Sequence, residues 1–170
     1  AGAFDEFGLN RATLKANLEK ITEYAHLKNM IGIDEPPILE IIKENKMVRL
    51  ELEKKAIGVY LTQHPLAYMK QKINQPILAV ANLNEYVSKN VRVLLSLLRV
   101  KVIVDKKGNE MCFIEGFDET GNVEGVVFSS TYQRYKTLLE KNKIVCIEGK
   151  MNYRDKLSLV VQNVKEVNEV

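Results

Sequence analysis

The chain has 170 residues, of which 46% are hydrophobic and 28% are charged, proportions typical of a soluble globular protein. This length allows one ordinary domain, or a helical unit joined to a small β domain. No apolar run reaches the roughly 20 residues needed to span a bilayer, and the N-terminus lacks the basic start and apolar stretch of a signal peptide. The first residue is not Met, so we expect a piece of a larger cytoplasmic protein.

The net charge of +3 is too small to predict a partner, and the distribution of charge matters more.

The first 72 residues are predicted to be helical. Apolar side chains at Leu14, Leu18, Ile21 and Ala25 recur every three or four residues. This is the spacing of an amphipathic helix with one buried face.

A second helical stretch is predicted after Gly32. Asp34 can cap it, and Pro36 or Pro37 can occupy its first turn. The helical period then continues, as one helix or as two helices divided near Asn45. The dipeptide His64-Pro65 is predicted to end the stretch, because proline disfavours the helical conformation at the residue before it.

Residues 73–90 are predicted to be a linker with a short helical turn, and the pattern changes from helix to strand at Val91. The elements expected after that point are strands at 91–104, 111–117 and 123–128, a helix at 131–140, and strands at 143–152 and 156–167. Ser129 or Ser130 is predicted to cap the helix. Three strands, one helix and two strands is the element order of an OB barrel, although other small barrels share it. The predicted fold class is therefore α+β, with a helical region at 1–72 and a five-stranded OB-fold β-barrel at 91–170.

Basic residues are concentrated at the two loops that flank the ligand-binding face of an OB barrel. A single-strand binder needs such cations along the nucleic acid backbone, together with aromatic side chains for the bases. The candidate contacts to the backbone are Arg99, Lys101, Lys106, Lys107, Lys150, Arg154 and Lys156.

Aromatic residues on the second strand are candidates for base stacking. Alternation places Phe113 and Phe117 on one side of this strand, where they would form either a stacking surface or part of the core. Tyr153 can add a ring from the loop between strands four and five. Phe128 is expected in the core. Glu115 on the side of the phenylalanines opposes tight binding of an anion.

The residues needed for catalysis or for a metal site are not found together in this sequence. The two histidines and two cysteines are scattered without metal-ligand spacing. Cys112 and Cys146 lie in apolar runs and are expected to be buried, reduced thiols. There is no glycine-rich phosphate loop, no Gly-x-Ser-x-Gly and no Asp-x-Asp pair for two-metal chemistry. We therefore expect no catalytic activity, cofactor or metal in this fragment.

Three blocks of residues carry a resemblance to a known family. The blocks are residues 1–11, residues 52–66, and residues 106–155 with Lys106-Lys107-Gly108, Asp118-x-x-Gly121, Phe128 and Gly149. In this order they resemble the C-terminal portion of the alpha subunit of bacterial DNA polymerase III, and most of all the short type of low-GC Gram-positive bacteria. The sequence departs from that family at Leu95, where glycine is usual, and at Asp105, where threonine is usual. The second departure is expected to lower the positive potential of the loop.

The resemblance implies a role in DNA replication. It implies that the OB domain receives single-stranded template DNA, and that the helical part belongs to the end of the fingers and helix-hairpin-helix region. The catalytic aspartates of the parent DNA-directed DNA polymerase lie upstream. Expected partners are single-stranded DNA, the rest of the polymerase chain and other replisome proteins, at the bacterial nucleoid. The sliding-clamp motif of the family has no counterpart at residues 26–32, so direct clamp binding is not expected.

Two other functions remain open at this point. The chain could be a scaffold that docks the polymerase to replisome partners. It could also be an anticodon-binding OB domain of a class II aminoacyl-tRNA synthetase, although the blocks at residues 1–5 and 52–66 argue against that assignment.

Overall fold

The structure is a computed structural model that describes residues 8–32, 35–153 and 156–167. The chain divides into two units, residues 1–63 and 64–170. The elements in chain order are α1 (Arg11–Ala16), α2 (Leu18–Ile31), α3 (Lys46–Ile57), α4 (Pro65–Lys72), a 3-10 helix (Val80–Tyr86), β1 (Asn90–Val104), β2 (Glu110–Asp118), β3 (Gly121–Val127), α5 (Ser129–Tyr135), β4 (Ile144–Tyr153) and β5 (Leu157–Glu166). Within the described residues, no helix combines the length and apolar character needed to cross a membrane.

Residues 36–44, between α2 and α3, form neither a helix nor a strand, so the helix predicted after Gly32 is wrong there. Their backbone groups form hydrogen bonds with side chains of the first unit instead of the hydrogen bonds within a helix. The amide group of Asn17 donates to the carbonyl of Glu40 and accepts from its N–H, at 2.8 and 2.9 Å. The hydroxyl of Thr13 accepts from the amide of Ile42 at 2.9 Å. Asp34, the predicted cap, lies outside the described residues.

A single helix, α3, lies on the C-terminal side of the division predicted near Asn45, and Asn45 caps it by accepting from the amide of Met47 at 2.9 Å. The predicted end at His64-Pro65 is wrong. His64 caps α4, with its Nδ1 accepting from the amide of Leu66 at 3.3 Å, and Pro65 lies in the first turn. Proline needs no backbone donor there, so it favours the start of a helix as well as the end of one.

The five strands of the second unit close into a barrel in the order β1-β2-β3-β5-β4. All pairs are antiparallel except β3 and β5, which are parallel. Alternate residues point inward, and the core includes Val93, Leu95, Ile114, Val127, Ile147 and Leu159. The predicted α+β fold with a five-stranded OB barrel is confirmed. The large Leu95 packs against Gly116, where an added Cβ would lie 3.1 Å from the Leu95 side chain.

The residues that precede the barrel pack onto it. The 3-10 helix contacts β1 and β3, and its Leu83 is fully buried in the barrel core. Asp118 at the end of β2 accepts hydrogen bonds from Lys70 of α4 and from the amide of Val80. The division of the chain at 63 and 64 therefore differs from the predicted boundary at 72, and the predicted linker contributes to the core.

The helix after β3 is shorter than predicted, since α5 ends at Tyr135. Its cap position is Phe128, with no side-chain cap hydrogen bond, so the predicted serine cap is wrong. Cys112 and Cys146 are free and buried, as predicted.

Candidate nucleic-acid interface

Phe113 lies in the middle of the outer face of β1, β2 and β3. Strand register pairs it with Lys101 on β1 and with Val126 on β3. Its side chain is 43% exposed, whereas Cys112 and Ile114 on either side are buried inside the barrel. The predicted alternation of β2 is confirmed, and Phe113 is not a core residue. We call Lys101, Phe113 and Val126 the Phe113 row; it offers a ring to a base and an ammonium group to a phosphate.

The other two phenylalanines near this face, Phe117 and Phe128, differ in their exposure. Phe117 is only partly exposed, and the ring of His64 lies edge-on to it at 6.3 Å between centroids. Phe128, which was expected in the core, is 53% exposed. The reason is alternation: Val127 is buried, so the next residue points to the outside, the side on which Val126 lies. Strict alternation through β3 was a signal in the sequence that would have placed Phe128 correctly.

The loop between β1 and β2, residues 105–109, carries Lys106 and Lys107 at its exposed tip. Asp105 shapes this loop, because its Oδ1 accepts from the amides of Lys107 and Asn109 at 2.8 and 2.9 Å. The hydrogen bond from the Asn109 amide holds the pKa of Asp105 below its usual value. The carboxylate therefore stays charged and offsets part of the positive charge of the two lysines. Gly108 completes the turn with a φ of 85°, a conformation that suits glycine.

Acidic residues cross the outer face next to the Phe113 row. Glu115 pairs directly with Arg99 on β1 and with Glu124 on β3. Lys156 forms an ion pair with Glu124. We call Arg99, Glu115, Glu124 and Lys156 the Glu115 row. Its two cations and two anions leave it without net charge, so Arg99 and Lys156 are less available to a phosphate than the sequence suggested.

The Glu115 row also borders a cleft of about 260 Å³. Val80 and Leu83 of the 3-10 helix line this cleft together with Val123 at the start of β3. The apolar lining and the two carboxylates make this part of the face different in character from the part around Phe113.

The remaining predicted contacts lie on or near β4. Lys150 is exposed and pairs with Asn90 on β1 and Val160 on β5, so the register does not place it beside Phe113. Tyr153 ends β4 and is 62% exposed. Arg154 lies outside the described residues. The structure therefore brings together Lys101, Phe113 and the lysines of the β1–β2 loop, and separates them from Lys150.

Residues 91–167 match the family model of an OB-fold nucleic acid binding domain. The alpha subunit of DNA polymerase III from Bacillus subtilis is 30% identical in an alignment that covers 100% of this chain. This chain matches DNA polymerase III alpha subunits along its whole length. The subunit from Escherichia coli K12 is 26% identical over 99% of the chain. The chain spans 16% of the length of each of these relatives, so its similarity is to a part of a DNA polymerase III alpha subunit, the family that the three sequence blocks resemble.

Among solved structures, the chain is similar to the SSB domain of a Synechococcus protein, with a TM-score of 0.41 and 12% identity. That match covers 45% of this chain and 93% of the other.

Proposed function

We propose that this chain is a non-catalytic part of a bacterial replicative DNA polymerase, and that its barrel binds single-stranded DNA without sequence preference. The observation that carries the proposal is Phe113, an exposed ring in the middle of the outer face of an OB-fold nucleic acid binding domain. Whole-chain similarity to DNA polymerase III alpha subunits supports DNA as the nucleic acid.

The chemistry of the Phe113 row suits an unpaired base. A base can stack on the Phe113 ring only when it is released from a duplex, because stacking needs an open π face. Lys101 lies beside the ring, and Lys106 and Lys107 extend from the loop at the same end of the strands. Stacking contributes about 1–3 kcal/mol per base. One or two stacked bases and a few phosphate contacts give weak binding, which is sufficient when the parent chain holds the DNA nearby.

The test is fluorescence anisotropy of the chain with labelled oligo-dT, duplex DNA and a tRNA at two salt concentrations. We expect tighter binding to oligo-dT than to the duplex, and loss of affinity as salt rises. Replacing Phe113 by alanine removes the stacking ring, and Lys101→Ala removes one phosphate contact. Lys141→Ala is the matched control, because Lys141 is exposed and lies outside the strands.

The outcome separates this proposal from its alternatives. Absence of binding to every nucleic acid at low salt would favour a scaffold that contacts replisome proteins. Preference for tRNA over oligo-dT would favour an anticodon-binding domain. If Lys101→Ala and Phe113→Ala bind oligo-dT as tightly as Lys141→Ala does, the DNA-binding face lies elsewhere.

A further inference from the structure

We propose that single-stranded DNA occupies only the half of the outer face that lies toward the β1–β2 loop, with bases on Phe113 and Phe128. The two glutamates of the Glu115 row, Glu115 and Glu124, then act as an acidic boundary that keeps the DNA backbone off the other half. This inference rests on the proposed function and adds to it the path of the DNA, a new contact residue and a limit on affinity.

The first argument is the spacing of the two exposed rings. Phe113 on β2 is directly opposite Val126 on β3, and Phe128 lies two residues further along the chain. Diagonal neighbours of this kind are about 7–8 Å apart, within reach of aromatic side chains. The two residues are 43% and 53% exposed. They can therefore hold two bases side by side at the loop end of the face.

The second argument is the distribution of available positive charge. Lys101, Lys106 and Lys107 are exposed. In the part of the chain that the structure describes, none of the three forms an ion pair with a carboxylate. All of them lie on the Phe113 side of the Glu115 row, toward the β1–β2 loop. A phosphate backbone that follows the two rings meets these cations.

The third argument is the repulsion expected from the other half. Glu115 and Glu124 are directly opposite each other, which places their Cβ atoms about 4.5–5.5 Å apart. Two carboxylates at that distance repel an approaching phosphate, and Lys156 is held by Glu124 in an ion pair. Beyond the row, the Phe117 ring is partly covered and lies against His64. This half therefore offers no open ring, and its Lys156 is already paired with a carboxylate.

The proposal predicts a gain of affinity, which loss of the fold cannot imitate. The double substitution Glu115→Gln and Glu124→Gln removes both negative charges, keeps the shape of the side chains and releases Lys156 from its ion pair with Glu124. With the full chain and labelled oligo-dT at low salt, we expect affinity to rise about three- to tenfold, and the gain to shrink at high salt because screening weakens the repulsion. The matched control is Glu140→Gln, an exposed carboxylate outside the strands, which is expected to change affinity less than twofold.

Single substitutions test the path. Phe128→Ala is expected to lower oligo-dT affinity at least fivefold, the loss that corresponds to one stacked base. Lys156→Ala is expected to lower it by less than Lys101→Ala does. Circular dichroism of each variant checks that the barrel is intact.

Each result decides a different claim. If wild type binds oligo-dT but the double Gln variant binds no tighter, the acidic boundary is refuted while DNA binding stands. If Phe128→Ala binds normally, or if Lys156→Ala is as damaging as Lys101→Ala, the path is refuted. If wild type binds no nucleic acid, the proposed function fails, and this inference fails with it.

Discussion

Replacing Asp118 by alanine is expected to detach the segment that precedes the barrel. The carboxylate is buried at the end of β2. Its Oδ2 accepts hydrogen bonds from Nζ of Lys70 at 2.7 Å and from the amide of Val80 at 2.9 Å. Its Oδ1 accepts from the amide and the hydroxyl of Thr120, at 2.7 and 2.6 Å, and from the amide of Gly121 at 3.1 Å. One side chain thus joins α4, the 3-10 helix and the β2–β3 turn.

The cost of the substitution can be worked out from these contacts. Alanine leaves the buried Val80 amide without its acceptor and leaves Lys70 with Glu119 as its remaining carboxylate partner among the described residues. Removing one partner of a buried ion pair costs about 3–5 kcal/mol. The Lys70 side chain is 13% exposed, so water can solvate part of its charge. We expect a loss of about 3 kcal/mol for Asp118→Ala and about 2 kcal/mol for Asp118→Asn, which keeps one acceptor oxygen.

Hydrogen exchange read by mass spectrometry measures this loss in the barrel separately from the first unit. Peptides that cover residues 65–90 and β2–β3 should exchange faster in Asp118→Ala. Glu119→Ala is the matched control, because the ion pair of Glu119 with Lys70 is more exposed, with the Glu119 side chain 25% accessible. This ion pair should contribute at most about 1 kcal/mol to stability. Equal effects of the two substitutions would refute the assignment of Asp118 as the anchor.

The remaining predictions concern the barrel and its pH dependence. Burial acts to raise the pKa of Asp118, but hydrogen bonds from Lys70 and Thr120 outweigh it and hold the pKa below its ordinary value of 3.8. A carboxyl group of this kind stabilises the fold fully above its unfolded-state pKa, and the stabilisation is lost as the pH falls through its folded-state pKa. Acid titration below about pH 4 should therefore destabilise wild type more than Asp118→Asn. Gly149→Ala should cost at least about 2 kcal/mol in thermal unfolding, since its Cβ would overlap the carbonyl oxygen of Val160; Gly121→Ala, where a Cβ meets ordinary packing at 3.6 Å, should cost much less. Burial raises the pKa of the Cys112 thiol to about 11. Alkylation of this thiol at pH 8, followed by mass spectrometry, should therefore be slow until the barrel unfolds. A version of the chain that begins at residue 91 should unfold at a lower temperature than one that begins at residue 64, because it lacks the buried Leu83.

Local sequence signals were sufficient for the strands of the barrel. The β-branched runs and the turn residues predicted the five strands to within about two residues, because both signals act between near neighbours. Alternation along β2 put Phe113 on the outside for the same reason. Applied to β3, the same rule would have put Phe128 there too.

Long-range contacts decided what the local signals could not. Residues 36–44 have the spacing of a helix, but their backbone groups bind the side chains of Thr13 and Asn17 instead. A helical period in the sequence cannot indicate such a partner more than 20 residues away. The packing of the 3-10 helix onto the barrel and the position of His64 against Phe117 likewise depend on tertiary contacts.

The candidate site shows the same division. The residue types of the nucleic-acid face were readable from the sequence: lysines at one loop, a phenylalanine on β2 and a glutamate near it. Which of them are neighbours depends on the register between strands, and only the tertiary structure sets that register. It placed Arg99, Glu115 and Glu124 in one row across three strands, and Lys101 beside Phe113 in the next. A shift of one residue in any pairing would have separated these groups, because it turns every side chain of a strand to the other face.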